Sequence, residues 1–130
     1  MITKKFVKKI LDIEEWVNQD ADKILTIFAK NATYHERVLG KPFKGHKQIR
    51  KYWQSKVVKE QSNIKFKLLD LFIDGNIAIA EWDASFNSNI EKARIHIREV
   101  AIIEFHNNKV SSLREYWHSE RKIESLSFKI

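Results

Sequence analysis

Three glutamates, Glu36, Glu99 and Glu115, are the residues of this chain best suited to acid–base chemistry. Each lies among apolar or aromatic residues, and alternation along predicted strands turns each toward the buried side. Tyr34 shares the predicted face of Glu36. Burial and the proximity of like charges raise the pKa of a carboxyl group, which suits a general acid or base. We predict a site for proton transfer or ligand binding where these carboxyl groups converge.

Each carboxylate also has a structural interpretation. Glu99 and Glu115 are equally well explained by ion pairs with Arg98 or Arg114 at a sheet edge. Glu36 is exposed to solvent if it lies at the end of its strand, just before the turn, although the functional interpretation is slightly favoured. Tryptophans are more often core residues than pocket walls, although in a cone-shaped fold they can be both; this applies to Trp16, Trp53, Trp82 and Trp117.

Several kinds of site are disfavoured by composition and spacing. The chain has no cysteine, which excludes disulfides and thiolate chemistry. The five histidines lack the spacing of metal ligands, and His35 and His96 fall on the faces opposite the predicted interior. No glycine-rich phosphate loop or Ser/His/Asp pattern is present. We therefore predict neither a metal nor an organic cofactor.

The first half of the chain reads as helical with one early strand. Apolar residues at three- and four-residue spacing predict a helix over residues 4–19. Asp20 is the predicted N-cap of a second helix that ends at residues 28–29, with Asn31 as its exit. A strand over residues 32–38 and a third helix over residues 46–59 follow.

The second half changes to strand periodicity. Strands are predicted over residues 66–73, 77–86, 94–105 and 110–118, with turns at residues 74–76 and 107–108. Three helical segments followed by an antiparallel meander indicate an α+β domain whose helices cover one face of a curved antiparallel sheet. The 130 residues suffice for one domain, spanning residues 1–130.

Charge is distributed unevenly. The net charge is +7, and residues 37–59 contain eight lysines and arginines plus His46 but no acidic residue. This segment suits either an anion or nucleic-acid patch or a solvated helix face, and the second is favoured because aromatic residues do not punctuate it as base stacking requires. Charges also recur too often near the N-terminus for a signal peptide or membrane span, so we predict a cytoplasmic protein.

Four segments spread over nearly the whole chain resemble the nuclear transport factor 2-like superfamily, in particular its SnoaL-like and ketosteroid-isomerase-like bacterial members. They are FAKNATYHE, PFKGHKQIRKYW, AEWDASF and KVSSLREYWHSE. The resemblance implies a conical α+β fold (a cystatin-like roll), a deep pocket between the sheet and three helices, and a homodimer formed through the outer face of the sheet.

The resemblance also implies roles for individual residues. The catalytic-base aspartate of the ketosteroid isomerases falls on Glu36, whereas their oxyanion-hole tyrosine and aspartic acid fall on Asp12 and Ala101. Alanine has no donor and an ionised aspartate only accepts, so the standard isomerase mechanism is disfavoured. The family's bulky pocket positions fall on Phe28, Trp53, Trp82, Leu113 and Trp117.

We therefore expect a small, apolar or partly polar organic molecule to bind among Trp16, Phe28, Tyr34, Trp53, Trp82, Ala101, Leu113 and Trp117. The chemistry expected there is proton transfer of the polyketide-cyclase, isomerase or epoxide-hydrolase kind, with Glu36 as base and Glu99 or Glu115 as proton donor. Similarity to limonene-epoxide-hydrolase-like members is incomplete, because Ile97 occupies a neighbouring inward position and no inward arginine is evident. The alternative is a non-catalytic ligand-binding or protein-interaction domain of the same fold.

Overall fold

The computed structural model describes residues 1–11 and 20–122. The helices are α1 (Lys4–Leu11), α2 (Ala21–Ile24) and α3 (Gly45–Tyr52). A 3₁₀ turn, Leu25–Ile27, follows α2, and a π-helical segment, Trp53–Val58, follows α3. The strands are β1 (Phe28–His35), β2 (Phe43–Lys44), β3 (Gln61–Asp74), β4 (Ile77–Ser88), β5 (Ala93–His106) and β6 (Lys109–Lys122).

The strands form one six-stranded sheet in the order β2-β1-β6-β5-β4-β3. The meander β3 to β6 is antiparallel as predicted, but β1 runs parallel to β6, so the sheet is mixed. Strands β2 and β3 lie at opposite edges, and the described strands therefore leave the sheet open. The three helices cover its concave face, and the α+β architecture with helices in the N-terminal half is confirmed.

The turn and cap chemistry is confirmed at the predicted positions. Asp20 caps α2 through Oδ1, which accepts from the backbone N–H groups of Asp22 and Lys23 at 3.0 Å each. Asn107 and Asn108 both have positive φ, as a tight hairpin turn between β5 and β6 requires. Gly75, at φ +61°, makes the corresponding turn between β3 and β4.

The prediction for residues 28–38 was wrong at both ends. Phe28 is extended and pairs with Val110, so β1 begins at Phe28, and the predicted exit residue Asn31 lies inside the strand. Pairing stops at His35, because β2 is only two residues long and the parallel register with β6 ends there. Glu36 therefore follows the strand and is not inside it. The predicted end of the first helix, residues 12–19, lies outside the described residues.

The core lies between the helices and the concave face of the sheet. Alternation along β5 is as predicted: Ile95, Ala101 and Ile103 are buried while His96, Arg98 and Val100 face outward. Val7, Ile24 and Ile49 pack against this face from the helices and are fully buried. Glu99 is the single buried charged residue among the described residues. A carboxyl group on the core face of the central strand is the starting point for the site.

Candidate functional site

A cavity of about 290 Å³ lies against the concave face of the sheet, beside the π-helical segment that extends α3. Its described lining contains aromatic rings, aliphatic side chains and four glutamates: Tyr34, Glu36, Tyr52, Trp53, Val57, Gln61, Ile64, Phe66, Trp82, Ala84, Phe86, Glu91, Ile95, Ile97, Glu99, Glu115, Trp117 and Ser119. The three predicted carboxylates are all in this wall. A concave, mostly apolar surface with a few polar groups is typical of ligand-binding sites.

Strand register brings Glu99 and Glu115 together. Glu99 pairs with Trp117 across β5 and β6, and Ala101 pairs with Glu115, so the two glutamates are diagonal neighbours on one face. The alternative of ion pairs with adjacent arginines is wrong. Arg98 lies on the outer face against Glu81 and Asp83, and Arg114 bonds Glu104. Neither carboxyl group is neutralised by a cation of its own strand.

Tyr34 connects this carboxyl pair to β1. Its hydroxyl donates to Glu115 Oε1 at 2.9 Å, and its ring packs edge-on against Tyr52 with centroids 5.4 Å apart. Burial, followed by the charge of Glu115, raises the pKa of Tyr34 well above its ordinary value. The hydroxyl consequently remains protonated at neutral pH and can donate to the carboxyl group or to a ligand.

The two carboxyl groups share one proton near neutral pH. Burial raises the pKa of Glu115 well above its ordinary range, and the charge of Glu99 and a hydrogen bond with it raise that pKa further. Burial also raises the pKa of Glu99 to about 7, against the lowering effect of hydrogen bonds with Glu115 and Trp82. Glu115 therefore carries the proton, and Glu99 changes charge close to physiological pH.

Glu36 lies at the cavity wall just beyond β1. Its side chain is one quarter exposed, and its Oε2 lies 3.5 Å from Arg37 Nε. Its backbone carbonyl accepts from Trp117 Nε1 at 3.0 Å, which ties the residue to β6. The charge of Glu36 contributes to the raised pKa of both Glu99 and Glu115. Glu36 thus acts electrostatically on the carboxyl pair while remaining in contact with water.

Indoles surround the carboxyl groups on several sides. Trp82 is opposite Glu99 in the β4–β5 register and packs on Phe66 at 5.5 Å. Trp53 and Val57 reach the cavity from the π-helical segment, a rare geometry that is frequent at functional sites. Trp117 is 38% exposed, with the Arg37 guanidinium 5.7 Å above its ring. It stands at the opening of the cavity.

Not every predicted ligand-binding residue reaches this wall. Phe28, Ala101 and Leu113 are buried in the core and are not among the lining residues, because the helices pack over that part of the sheet. Trp16 and Asp12 lie outside the described residues. Sequence reasoning left out Tyr52 and Phe86, which line the cavity. Phe86 could have been found, since it continues the alternating face of Trp82 and Ala84.

No group of three or more histidines or acidic residues placed to hold a metal ion occurs in residues 1–11 and 20–122. Within the same residues no helix is long and apolar enough to cross a membrane. The lysines and arginines of the basic segment 37–59 are exposed, and part of their charge is paired: Arg50 bonds Asp22 at 2.6 Å, and Lys56 lies 3.3 Å from Glu60.

The sequence matches the SnoaL-like domain family over residues 8–113. Two similar solved structures share the fold. One is a hypothetical protein with a ketosteroid isomerase-like fold from Catenulispora acidiphila, in complex with trimethylamine. It is 15% identical in sequence, and the superposition covers 88% of this chain and 86% of that one with a TM-score of 0.74. The other is SalBIII, an epoxide hydrolase/cyclase-like enzyme in pyran ring formation in salinomycin. It is 22% identical in sequence, and the superposition covers 88% of this chain and 89% of that one with a TM-score of 0.74. No curated protein matches the sequence significantly.

Proposed function

Because the chain belongs to the SnoaL-like domain family, we propose that its cavity binds a small organic molecule and catalyses proton transfer on it. The observation that carries the proposal is the proton-sharing pair Glu99–Glu115, which is held by Tyr34 inside an aromatic wall. A carboxyl group that keeps its proton at neutral pH can donate it to a developing oxyanion. A largely apolar surrounding strengthens that donation, since water competes less.

The residues divide into a base and an acid. Glu36 is the proposed base, because it lies at the wall with access to water and to the ligand. It removes a proton from a carbon next to a carbonyl group, or from a water that attacks an epoxide. Glu115 gives its proton to the oxygen on which negative charge develops, and Glu99 and Tyr34 hold Glu115 in position. Each turnover returns the proton from Glu36 to the pair through solvent.

The standard ketosteroid isomerase arrangement is not what we propose. Ala101 is fully buried and has no donor where that family's aspartic acid falls. Glu115 lies on the same face of the sheet as Glu99, two residues before Trp117, which pairs with Glu99. In its protonated form Glu115 offers a donor from β6 instead. This placement favours carbonyl cyclisation, isomerisation or epoxide opening of a non-steroid compound, and SalBIII, an epoxide hydrolase/cyclase-like enzyme in pyran ring formation, shares this fold.

Two probe reactions test the proposal directly. Cyclohexanone in D₂O is monitored by NMR for deuterium uptake next to the carbonyl, and styrene oxide is monitored for hydrolysis to the diol. We expect acceleration of one probe by the wild type and loss of at least tenfold in Glu36→Gln, within the ~10²–10⁴-fold that general acid–base catalysis supplies. Glu120→Gln, at an exposed position of β6, is the matched control. Full activity in Glu36→Gln contradicts the proposal.

The rival function is ligand binding or protein interaction without catalysis. A titration of ¹³C-labelled glutamate side chains separates the two. A tuned acid requires at least one glutamate that titrates near neutral pH. If every glutamate titrates near ~4.3 and neither probe reacts, the binding domain is the better account.

We also propose that the protein forms a homodimer through the outer face of the sheet. Phe72, Ile79, Val100 and Tyr116 are between 37% and 56% exposed there, and register places them in adjacent rows across β3 to β6. Contiguous exposed apolar area of this kind favours association with another protein surface. Light scattering at micromolar concentration tests it, with a mass of twice 15.5 kDa expected.

A further inference from the structure

The charge of the cavity is opposite to that of the protein. The chain has 24 lysines and arginines against 17 acidic residues. Among the described residues that line the cavity, four are glutamates and none is lysine, arginine or histidine. A cavity built to hold a ligand with a full negative charge, such as a carboxylate or a phosphate, would need cations in its wall. This wall instead disfavours anions and favours a cation.

The remaining wall is suited to the same class of ligand. Seven of the described lining residues carry aromatic rings: Tyr34, Tyr52, Trp53, Phe66, Trp82, Phe86 and Trp117. The faces of such rings attract an ammonium group, and indole attracts it most strongly. The two tryptophans Trp82 and Trp117 stand on either side of Glu99 in the strand register. An ammonium group beside Glu99 would therefore have indoles on both flanks.

Glu99 also lacks a partner that such a ligand would supply. Its residue is 7% exposed, and apart from the proton that the pair shares, its Oε2 has no hydrogen-bond partner among the described residues. A buried acceptor without a donor is costly and calls for an explanation. An N–H donor from a bound molecule would satisfy it, and a positive charge on that donor would compensate the buried carboxylate.

The opening of the cavity already binds a cation of the chain itself. The Arg37 guanidinium lies 5.7 Å from the centroid of the Trp117 ring while its Nε lies 3.5 Å from Glu36. Arg37 is 71% exposed, so this contact is made at the surface and leaves the interior wall without a cation. The same combination of indole face and carboxylate recurs deeper, at Trp82 and Glu99.

We propose that the ligand of this cavity is an organic amine in its protonated form, with its N–H directed to Glu99 and its carbon groups against the indoles. This deepens the proposed function by naming a substrate class, and it rests on the cavity's being the ligand site. The proposal requires no new chemistry, since the ammonium group serves for recognition while proton transfer takes place elsewhere on the molecule.

Four probes that share a benzyl group test the proposal by isothermal titration and NMR. They are benzylammonium, benzyltrimethylammonium, benzyl alcohol and benzoate. We expect benzylammonium to bind at least tenfold more tightly than benzyl alcohol, and benzoate not to bind. Benzyltrimethylammonium, which has the charge without the N–H donor, should fall between the first two. Equal affinity for the alcohol and the amine, or tighter binding of benzoate, overturns the inference.

The affinity should also depend on pH in a defined direction. Groups that face Glu99 are Tyr34 and Glu36 at β1, Tyr52 on α3 and Glu115 on β6, and the two tyrosines remain neutral. Since Glu99 loses its proton around pH 7, benzylammonium should bind more tightly at pH 8 than at pH 6 and release a proton at pH 6. Titrations in two buffers of different ionisation enthalpy measure that release. Affinity that is flat between these pH values contradicts the role of Glu99.

The isosteric variant Glu99→Gln separates charge from shape. It should lose the preference for benzylammonium over benzyl alcohol. Glu81→Gln, on the outer face of β4, is the control and should keep the preference. If Glu99→Gln fails to fold, the four-probe ranking on the wild type still decides. If the protein prefers the amine but turns over neither probe, this inference stands and the catalytic proposal fails. If it binds the alcohol and the amine equally, this inference fails and the catalytic proposal is unaffected.

Discussion

The hydroxyl of Tyr34 lies 2.9 Å from Oε1 of Glu115, and it joins the two strands of the sheet that run parallel. Tyr34 is opposite Leu113 in that register, so its side chain reaches diagonally to the next inward residue of β6. The hydrogen bond lowers the pKa of Glu115, although burial and Glu99 together raise it by more. Tyr34 therefore affects the pKa at which the carboxyl pair loses its proton.

Replacing Tyr34 with phenylalanine should raise the pKa of Glu115. Without the hydroxyl, the pKa of Glu115 rises further because its charged form loses a hydrogen bond. The loss should also cost about 1 kcal/mol of stability, the net value of one hydrogen bond. Titration of labelled glutamates and urea denaturation measure the two effects. An unchanged or lowered Glu115 pKa would show that the hydroxyl does not bond this carboxyl group in solution.

Stability should fall as pH rises from about 4.5 to about 7. In that window the folded protein keeps a proton on Glu99, whose pKa is raised from 4.5 to about 7, while the unfolded chain has released it. Because the folded state binds more protons, raising the pH favours unfolding, by an amount of order 1–3 kcal/mol. Urea denaturation at several pH values checks the slope.

The variant Glu99→Gln identifies the group responsible for that slope. Glutamine does not titrate, so the decrease in stability between pH 5 and 7 should become smaller than in the wild type. Glu120→Gln, at an exposed position of β6, should leave the slope unchanged. A wild-type slope that survives in Glu99→Gln assigns the pH dependence to another group.

Strand periodicity was sufficient to predict much of this site. Alternation along β5 and β6 placed Glu99 and Glu115 on the core face, because a strand exposes alternate residues to opposite sides wherever one face is buried. The same rule failed at residues 28–31, where Phe28 fits the apolar face of a helix as well as a strand. Only pairing with Val110, which is distant in sequence, decides between them.

Other features of the site could not be derived from local patterns. The diagonal contact of Glu99 with Glu115 depends on the β5–β6 register. Phe28 and Leu113 were predicted to bind the ligand, and their burial in the core depends on how the helices pack. The approach of Tyr52 to Tyr34, with ring centroids 5.4 Å apart, follows from the position of α3 over β1, which no sequence spacing specifies.

Removing the indole N–H of Trp117 should loosen Glu36. The variant Trp117→Phe loses the 3.0 Å hydrogen bond to the Glu36 carbonyl and weakens the contact with Arg37. Because Trp117 is partly exposed, we expect a loss of only about 0.5–1.5 kcal/mol in stability. Amide hydrogen exchange at residues 35–38 should accelerate. Unchanged exchange there would show that other contacts hold this segment.

The proposed homodimer predicts that charge on the outer face of the sheet separates the subunits. Ile79 lies between Phe72 and Ile102 in the strand register, among the exposed apolar residues of this face. Ile79→Lys should give the mass of a monomer by light scattering, because an unpaired charge in an apolar interface costs several kcal/mol. Ile90→Lys is the matched control, since Ile90 is 65% exposed in the turn between β4 and β5, away from that face. An Ile79→Lys variant that keeps the wild-type dimer mass places the interface elsewhere, and a monomeric wild type rejects the dimer altogether.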